Sequence, residues 1–207
     1  MAKLKRVVTP EGVAHYPWLK DPDTKFVKEG EFSCNIFLDM DKAKGLMKSI
    51  DDCIQERVEV EMKDSGKKKF KTVRPYLIGG SEEDTNDVVP TGQVLFKIKQ
   101  KAEIQGTPWK PVIYDAEGNI INDILIYGGS KVEVACTLYP WYVSSTGVGV
   151  TLKLVAVKVV ELQERAAPSL ETMGFKKSEG FRIGDQDNAV ITEGAITSAK
   201  TEDTADF

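Results

Sequence analysis

The sequence predicts a mainly β domain with one substantial α-helix and a flexible, acidic C-terminal tail. Apolar residues recur with period two over several segments, which is typical of strands that place one face on a core. One segment, after residue 39, shows the three- and four-residue spacing of a helix instead. Beyond Leu162 both periodicities fade and the sequence becomes polar. We therefore assign residues 1–162 to one folded domain and residues 163–207 to the tail.

Charge is distributed unevenly between these two parts. Residues 161–207 hold five Lys or Arg and ten Asp or Glu, a net charge of −5, which leaves +1 for residues 1–160. The overall charge of −4 therefore belongs to the tail. A nearly neutral domain can still bind phosphates if its lysines gather on one face, but a uniformly basic, histone-like binder is excluded.

The sequence lacks the motifs of a catalytic or metal-binding protein. With His15 as its single histidine, it cannot assemble a His-based triad or a multi-histidine zinc site, so we expect His15 to be structural. Cys34, Cys53 and Cys136 form no CxxC pair and resemble buried free thiols of a reducing compartment. Glycine-rich phosphate-binding motifs, a long apolar span and a signal-like start are also missing. We expect a cytosolic binding protein that is not an enzyme and needs no cofactor or metal.

The first clear strand leads directly into the helix. Phe32, Cys34, Ile36 and Leu38 alternate with other residues over Glu31–Asp39, which predicts a strand with one face on the core. Asp39 or Asp41 can cap the helix that follows. Its apolar stripe comprises Leu46, Met47, Ile50, Cys53, Ile54 and Val58, and packing against the sheet explains it.

A basic run with one aromatic residue follows the helix. Residues 63–71 include Lys67, Lys69, Phe70 and Lys71 and are too polar for a core. The run is either a solvated loop or an arm that lies along a phosphate backbone. Next, Arg74 and Tyr76 alternate with apolar residues, which predicts a strand with a basic and aromatic outer face.

Residues 93–103 give the sharpest strand pattern. Val94, Phe96 and Ile98 point one way, and Lys97, Lys99 and Lys101 point the other way. The lysines recur at intervals of about 7 Å, close to the phosphate repeat of an extended single strand. They form either a phosphate-binding rail or a strand face that lysine keeps soluble.

Aromatic residues accumulate in the second half of the domain. Trp109 lies between prolines, beside Lys110, and is either a core plug or a stacking platform. Residues 111–115, with Tyr114, and residues 120–127 flank a turn with hairpin character, although the second segment also fits a helical period.

Two further strands, residues 131–139 and 149–162, border an aromatic-rich hairpin loop. Tyr139, Trp141 and Tyr142 are costly to leave in water, so they either pack on the domain or await a flat ligand. We expect one or two of these rings to anchor the loop and at least one to be presented.

An ordered set of segments resembles the replication single-stranded DNA-binding proteins of tailed bacteriophages. The set runs through residues 112–118, Gly128-Gly129-Ser130, Leu138-Tyr139-Pro140-Trp141, residues 147–150 and residues 159–162, and ends at Asp206-Phe207. The resemblance implies an OB-fold, a five-stranded Greek-key barrel whose groove binds single-stranded DNA through lysines and ring stacking. It also implies a role in phage DNA replication, recombination and repair in the cytoplasm of the infected bacterial host.

The resemblance further implies partners. The tail, through Glu202, Asp203, Asp206 and Phe207, is expected to recruit the phage DNA polymerase and helicase and to compete with DNA for the groove. A homodimer is expected on the same basis. The candidate DNA-binding residues are Lys67, Lys69, Phe70, Lys71, Arg74, Tyr76, Lys97, Lys99, Lys101, Trp109, Lys110, Tyr114, Tyr139, Trp141, Tyr142 and Lys153.

Three other functions fit the same residues. The domain could act as a protein-interaction adaptor whose tail is the functional element. It could instead bind double-stranded DNA or RNA through the same basic surface. The acidic residues 82–84 leave a metal-dependent nuclease as a further alternative.

Overall fold

The computed structural model of the protein describes residues 4–83 and 88–163, together with residues 174 and 176. In chain order the elements are β1 (Lys5–Val8), β2 (Gly12–Asp23), β3 (Glu31–Asp39), α1 (Met40–Ser65), β4 (Thr72–Val73), β5 (Tyr76–Ile78), β6 (Gln93–Phe96), β7 (Ile98–Lys101), β8 (Glu103–Ile104), β9 (Thr107–Pro108), β10 (Val112–Tyr114), β11 (Lys131–Val143) and β12 (Gly147–Glu161). The predicted mainly β class with one helix is confirmed. Within the described ranges, no helix has the length and apolarity needed to cross a membrane.

Five strands close into a barrel. β2 pairs with β3, β3 with β7, β7 with β12, β12 with β11, and β11 returns to β2. The pairing of β7 with β12 is parallel, and the other four are antiparallel. A closed five-stranded barrel of this kind is the OB-fold, so the fold that the sequence resemblance implied is confirmed.

Alternate residues of the barrel strands fill its core. The predicted inward residues of β3, from Phe32 to Leu38, are buried, and so are their counterparts on β11 and β12. The fully buried side chains include Ile36, Phe96, Ile98, Leu138, Leu152 and Leu154. Each buried side chain of this size contributes about 1.5–3 kcal/mol to folding. The opposite faces of the same strands therefore remain outside the barrel.

The helix α1 packs its apolar stripe against the barrel. Leu46, Ile50, Ile54 and Val58 are buried as predicted, whereas Met47 and Cys53 lie half-buried at the margin of the stripe. The helix begins after Asp39, whose side chain makes no capping hydrogen bond and accepts one from Gln93 Nε2 instead, at 3.3 Å.

The strand predicted over residues 93–103 is interrupted. The backbone N–H of Lys97 leaves the sheet and donates to the Pro75 carbonyl at 2.8 Å. β6 on one side of this break pairs with β3 and β5, and β7 on the other side pairs with β3 and β12. Because of this break, β7 belongs to the closed barrel, whereas β6 extends the sheet toward β5.

The turn with hairpin character predicted around residues 116–119 is present but short. Ile120 forms an antiparallel bridge back to Tyr114, while β10 otherwise pairs in parallel with β12. The carboxylate of Asp115 accepts hydrogen bonds from the backbone N–H groups of Glu117 and Asn119, at 2.9 and 2.8 Å. These bonds close a tight loop, and residues 121–127 then continue without forming a strand.

Candidate nucleic-acid interface

Lysines and an aromatic ring from three barrel strands converge on the outer surface. Lys99 of β7 is paired with Lys153 of β12. The Nζ atom of Lys153 lies 3.7 Å from the centre of the Tyr139 ring on β11, a cation–π contact. Lys101 follows Lys99 on the same side of β7. We refer to Lys99, Lys101, Lys153 and Tyr139 as the lysine face.

The side chains of the lysine face point outward because their neighbours point inward. Ile98 and Leu152, which precede Lys99 and Lys153, are both in the core. Strand alternation then places the lysines on the solvent side. The sequence predicted this direction correctly for β7.

A cavity of about 540 Å³ lies over the lysine face. The short β8–β9 hairpin forms one of its rims. Three carboxylates also line it, those of Glu29, Glu31 and Glu103. Glu31 forms an exposed ion pair with Lys99 at 3.0 Å. An incoming phosphate must therefore displace this carboxylate, which lowers the net attraction and makes it sensitive to salt.

Lys97 is exposed but lies at the break between β6 and β7. The regular spacing predicted for three lysines therefore holds for Lys99 and Lys101 alone. Sequence periodicity could not reveal the break, because a contact with Pro75, distant in the chain, produces it.

The aromatic segment predicted as a loop is mostly strand. β11 continues through Tyr142 to Val143, which pairs with Gly147. Tyr139 is 39% exposed on this strand. The Trp141 ring is half-buried, and its Nε1 atom donates to Thr151 Oγ1 at 3.1 Å. Tyr139 is thus presented to solvent, whereas Trp141 is tied to β12.

Gly149 makes room for the Trp141 ring. A Cβ atom at position 149 would collide with the six-membered ring of Trp141. Trp141 and Gly149 are directly paired across β11 and β12, so the missing side chain is what lets the indole lie flat on the sheet.

The basic run is fixed beside the end of the β11–β12 hairpin. Phe70 meets Tyr142 edge to face with ring centres 5.5 Å apart. The Lys71 carbonyl accepts a hydrogen bond from the Val148 N–H at 2.9 Å. A Cβ atom on Gly147 would collide with that carbonyl, so glycine is required there. The basic run, with the exposed Lys67, Lys69 and Lys71, therefore lies near the C-terminal end of β11.

The predicted outer face holds for Arg74, which is exposed, but is wrong for Tyr76. Tyr76 is only 5% exposed, and its ring packs against Phe96. Burial, reinforced by the nearby Asp51 carboxylate, raises the pKa of Tyr76 to about 12. The Arg74 Nε atom donates to the same carboxylate at 2.8 Å. Pro75 interrupts the strand and shifts the alternation, so the Tyr76 ring is not presented to a ligand. The role of the exposed Arg74 in DNA binding stays a prediction, and a phosphate there would have to displace the Asp51 carboxylate.

The other three candidates do not belong to the lysine face. Trp109 is half-buried and meets the buried Phe32 edge to face, with ring centres 6.0 Å apart, so it is a core plug. Lys110 is exposed and lines a separate cavity. Tyr114 is half-buried on β10, where it pairs with Lys158 rather than Lys153.

Sequence reasoning missed two exposed aromatic residues on β2. Tyr16 is 73% exposed and Trp18 is 46% exposed. The available signal was the tripeptide Tyr16-Pro17-Trp18, which repeats Tyr139-Pro140-Trp141. His15 precedes them on β2, and its ring packs against those of Tyr16 and Phe37. Burial lowers the pKa of His15.

The thiols and carboxylates of the described residues show no arrangement for metal binding. Across residues 4–83 and 88–163, no group of three or more His, Cys, Asp or Glu side chains is placed to hold an ion. Burial raises the pKa of both Cys34 and Cys136 to about 12. These two thiols therefore stay protonated and unreactive near neutral pH.

OB barrels include proteins that bind oligonucleotides or oligosaccharides. Solved structures with this fold include gp2.5, a single-stranded DNA binding protein encoded by bacteriophage T7. It aligns with a TM-score of 0.61 and 21% identity, over 95% of this chain and 100% of that chain.

The single-stranded DNA-binding protein of bacteriophage Enc34 has the same fold. Its C-terminally truncated form aligns with a TM-score of 0.55 and 17% identity, over 77% of this chain and 87% of that chain. Its complex with single-stranded DNA aligns with a TM-score of 0.55 and 15% identity, over 78% of this chain and 89% of that chain. The resemblance inferred from sequence is thus confirmed at the level of the fold. No family model and no curated protein matches the chain.

The predicted tail residues Glu202, Asp203, Asp206 and Phe207 lie outside the described residues. Their roles, and the domain boundary at residue 162, stay predictions.

Proposed function

We propose that this protein binds single-stranded DNA without sequence preference and carries out no bond chemistry. The observation that carries the proposal is the lysine face, where Lys99, Lys153 and Tyr139 meet on the outside of an OB barrel. Proteins of the same fold from phages T7 and Enc34 are described as single-stranded DNA-binding proteins, which supports the choice of ligand.

Each part of the lysine face has a distinct physical role. The ammonium groups of Lys99, Lys101 and Lys153 attract backbone phosphates, a contribution that salt weakens. The exposed ring of Tyr139 stacks on an unpaired base and stabilises the complex by about 1–3 kcal/mol. Every base has a flat face, so this contact discriminates little between sequences.

The cellular role follows from binding of this kind. In our proposal the protein coats and protects single strands during phage DNA replication, recombination and repair, in the cytoplasm of the infected host. The sequence resemblance supports this role. The same resemblance supports a homodimer.

A salt-resolved titration with oligonucleotides tests the binding surface. Lys153→Ala should reduce the slope of log affinity against log salt by about one unit, because one phosphate contact is lost. Lys158→Ala is the matched control, since Lys158 lies on the same strand but pairs with Glu133 at 2.7 Å. Equal slopes for the wild type and the Lys153 variant would reject the surface.

Competition between single-stranded and duplex DNA at one salt concentration tests the ligand. Stacking on Tyr139 needs unpaired bases, so single strands should compete better. Equal competition would favour a general duplex or RNA binder instead.

The tail is a separate part of the proposal. Deleting Phe207 should weaken binding to the phage polymerase and helicase while DNA affinity is kept or improved. Loss of DNA binding with partner binding intact would contradict it.

A further inference from the structure

A second cavity, of about 300 Å³, lies beside the aromatic residues of β2. Tyr16 and Trp18 form one wall, and Leu125 and Tyr127 belong to the opposite segment. We refer to it as the β2 cavity. Its remaining lining residues are Pro17, Leu19, Lys20, Asp21, Ile126 and Gly128. The walls are thus mainly apolar rings and aliphatic chains, with charge confined to Lys20 and Asp21.

The backbone holds Tyr16 outward against its local preference. Tyr16 has a φ of +46°, in the left-handed region, which costs about 1–2 kcal/mol for a residue with a side chain. The register between β2 and β3 also shifts here, with one extra residue between His15 and Trp18. A bulge of this kind re-aims side chains. With Tyr16 mostly exposed, core packing does not account for it.

The β2 cavity and the lysine face lie on the same outer side of the sheet, two strands apart. Trp18 pairs with Ser33 of β3, and Ser33 pairs with Lys99 of β7. Paired residues share one face of a sheet, so Trp18 and Lys99 both point outward. Neighbouring strands lie about 4.8 Å apart, which places Trp18 roughly 10 Å from Lys99. Tyr139 lies the same number of strands away on the other side, since β12 and then β11 follow β7.

The chemistry of the cavity fits a flat aromatic ligand attached to an anion. A lining of aromatic rings and aliphatic chains suits a nucleobase. Lys20 lines both this cavity and the next one, where Lys110 also lies. The neighbouring cavity thus holds two lysines and one carboxylate, that of Asp123.

We infer that the β2 cavity is a second nucleobase site, which takes an unpaired base from the same DNA strand whose phosphates lie on the lysine face. The inference rests on the proposed function. It gives the bound strand a path across the barrel, from Tyr139 over Lys153 and Lys99 to Trp18.

Two oligomers of about twelve nucleotides, within the usual site size of one OB-fold, test the inference. One is oligothymidylate, and the other is an abasic backbone of equal length. Trp18→Ala should weaken binding to oligothymidylate by roughly 5- to 100-fold, the range expected for one lost stacking contact. The same variant should bind the abasic backbone as the wild type does, because no base is present to stack.

Three further variants make the result specific. Trp18→Phe should restore most of the affinity, since a ring remains. Phe26→Ala removes an exposed ring that lines neither cavity and should change nothing. Lys99→Ala should weaken binding to both oligomers, because it acts on phosphates.

The outcomes separate this inference from the proposed function. If Lys99→Ala weakens binding and Trp18→Ala does not, the second base site is wrong while DNA binding stands. Equal weakening by Trp18→Ala on both oligomers would assign the residue a structural role and also overturn the site. If the wild type binds neither oligomer, both proposals fail, and the β2 cavity would suit an apolar protein side chain better.

Discussion

The tripeptide Tyr-Pro-Trp occurs twice, on β2 and on β11, and the barrel treats the two copies differently. On β11 the tryptophan, Trp141, lies flat over Gly149 and is hydrogen-bonded to Thr151. On β2 the tryptophan, Trp18, is nearly half exposed and borders a cavity. The β11 copy keeps a regular register with its partner, whereas the β2 copy contains a bulge.

This difference teaches that register, rather than sequence, decides what an aromatic segment does. A regular antiparallel pairing places Trp141 against a glycine that can accommodate it. In the β2 copy an extra residue turns Tyr16 away from the sheet, so its ring stays in solvent. The tryptophan of the β11 copy therefore stabilises the barrel, whereas the tryptophan of the β2 copy stays partly exposed. The following predictions break or sharpen this contrast.

The largest difference is expected between the two tryptophans in the free energy of unfolding. Trp141→Ala should lower it by about 2–3 kcal/mol, somewhat less than for a fully buried ring, because packing and a hydrogen bond are lost. Trp18→Ala should lower it by less than about 1 kcal/mol, since nearly half of the ring is already in water. Urea denaturation of both variants measures this difference. Equal losses would remove the contrast.

Two glycines allow the contrast to be tested without touching the rings. Gly149→Ala should destabilise by about 1–3 kcal/mol, because the new methyl group displaces the Trp141 ring. Gly128 is the matched control: a Cβ atom there would meet Ala14 and Tyr16 backbone atoms at an ordinary 3.7 Å. Gly128→Ala should therefore stay within about 0.5 kcal/mol of the wild type. Thermal unfolding would contradict this prediction if both variants behaved alike.

The backbone of Tyr16 offers a gain of stability. Tyr16→Asn should raise the free energy of unfolding by about 0.5–1 kcal/mol, because asparagine tolerates the left-handed region better. Tyr139→Asn should give no gain, since Tyr139 is in extended strand backbone. Denaturation midpoints compared at constant m-value provide the measurement. A loss at position 16 would show that the ring stabilises the free protein.

The smallest effect is expected from pH. Burial lowers the pKa of His15 from 6.5, so the folded protein binds fewer protons there than the unfolded chain does. The contribution of His15 is therefore complete above pH 6.5 and is lost as the pH falls below it. His15→Gln should flatten the dependence of stability on pH between about 7 and 5, relative to wild type. If the slope of stability against pH were unchanged in the variant, His15 would be excluded as the source of that pH dependence.

The sequence predicted those elements whose alternation is unbroken. β3 and the helix stripe were found because each repeats one period without a proline or a bulge. β2 was missed, since Pro17 and Pro22 and its shifted register disrupt the alternation. The break at Lys97 could not be predicted, because it depends on a partner from another part of the chain.

The candidate site residues also divide into those whose direction the sequence predicts and those whose direction depends on the fold. The outward direction of Lys99 and Lys101 was predicted because it follows from local alternation, whereas Tyr139 was one of three rings whose direction the sequence left open. Tyr76 was assigned to the wrong face because Pro75 interrupts its strand. Trp109 remained ambiguous, since a loop ring has no period from which to read its direction, and its contact with Phe32 is known only from the fold.

The position of β12 in the sheet has a consequence for biosynthesis. This strand pairs with β4, β7, β10 and β11, and it is the last barrel strand to leave the ribosome. The barrel therefore cannot close until residue 161 has emerged, even though β2 and β3 are synthesised early. Non-local pairing of this kind gives folding times of milliseconds to seconds, during which exposed strand edges are vulnerable to aggregation.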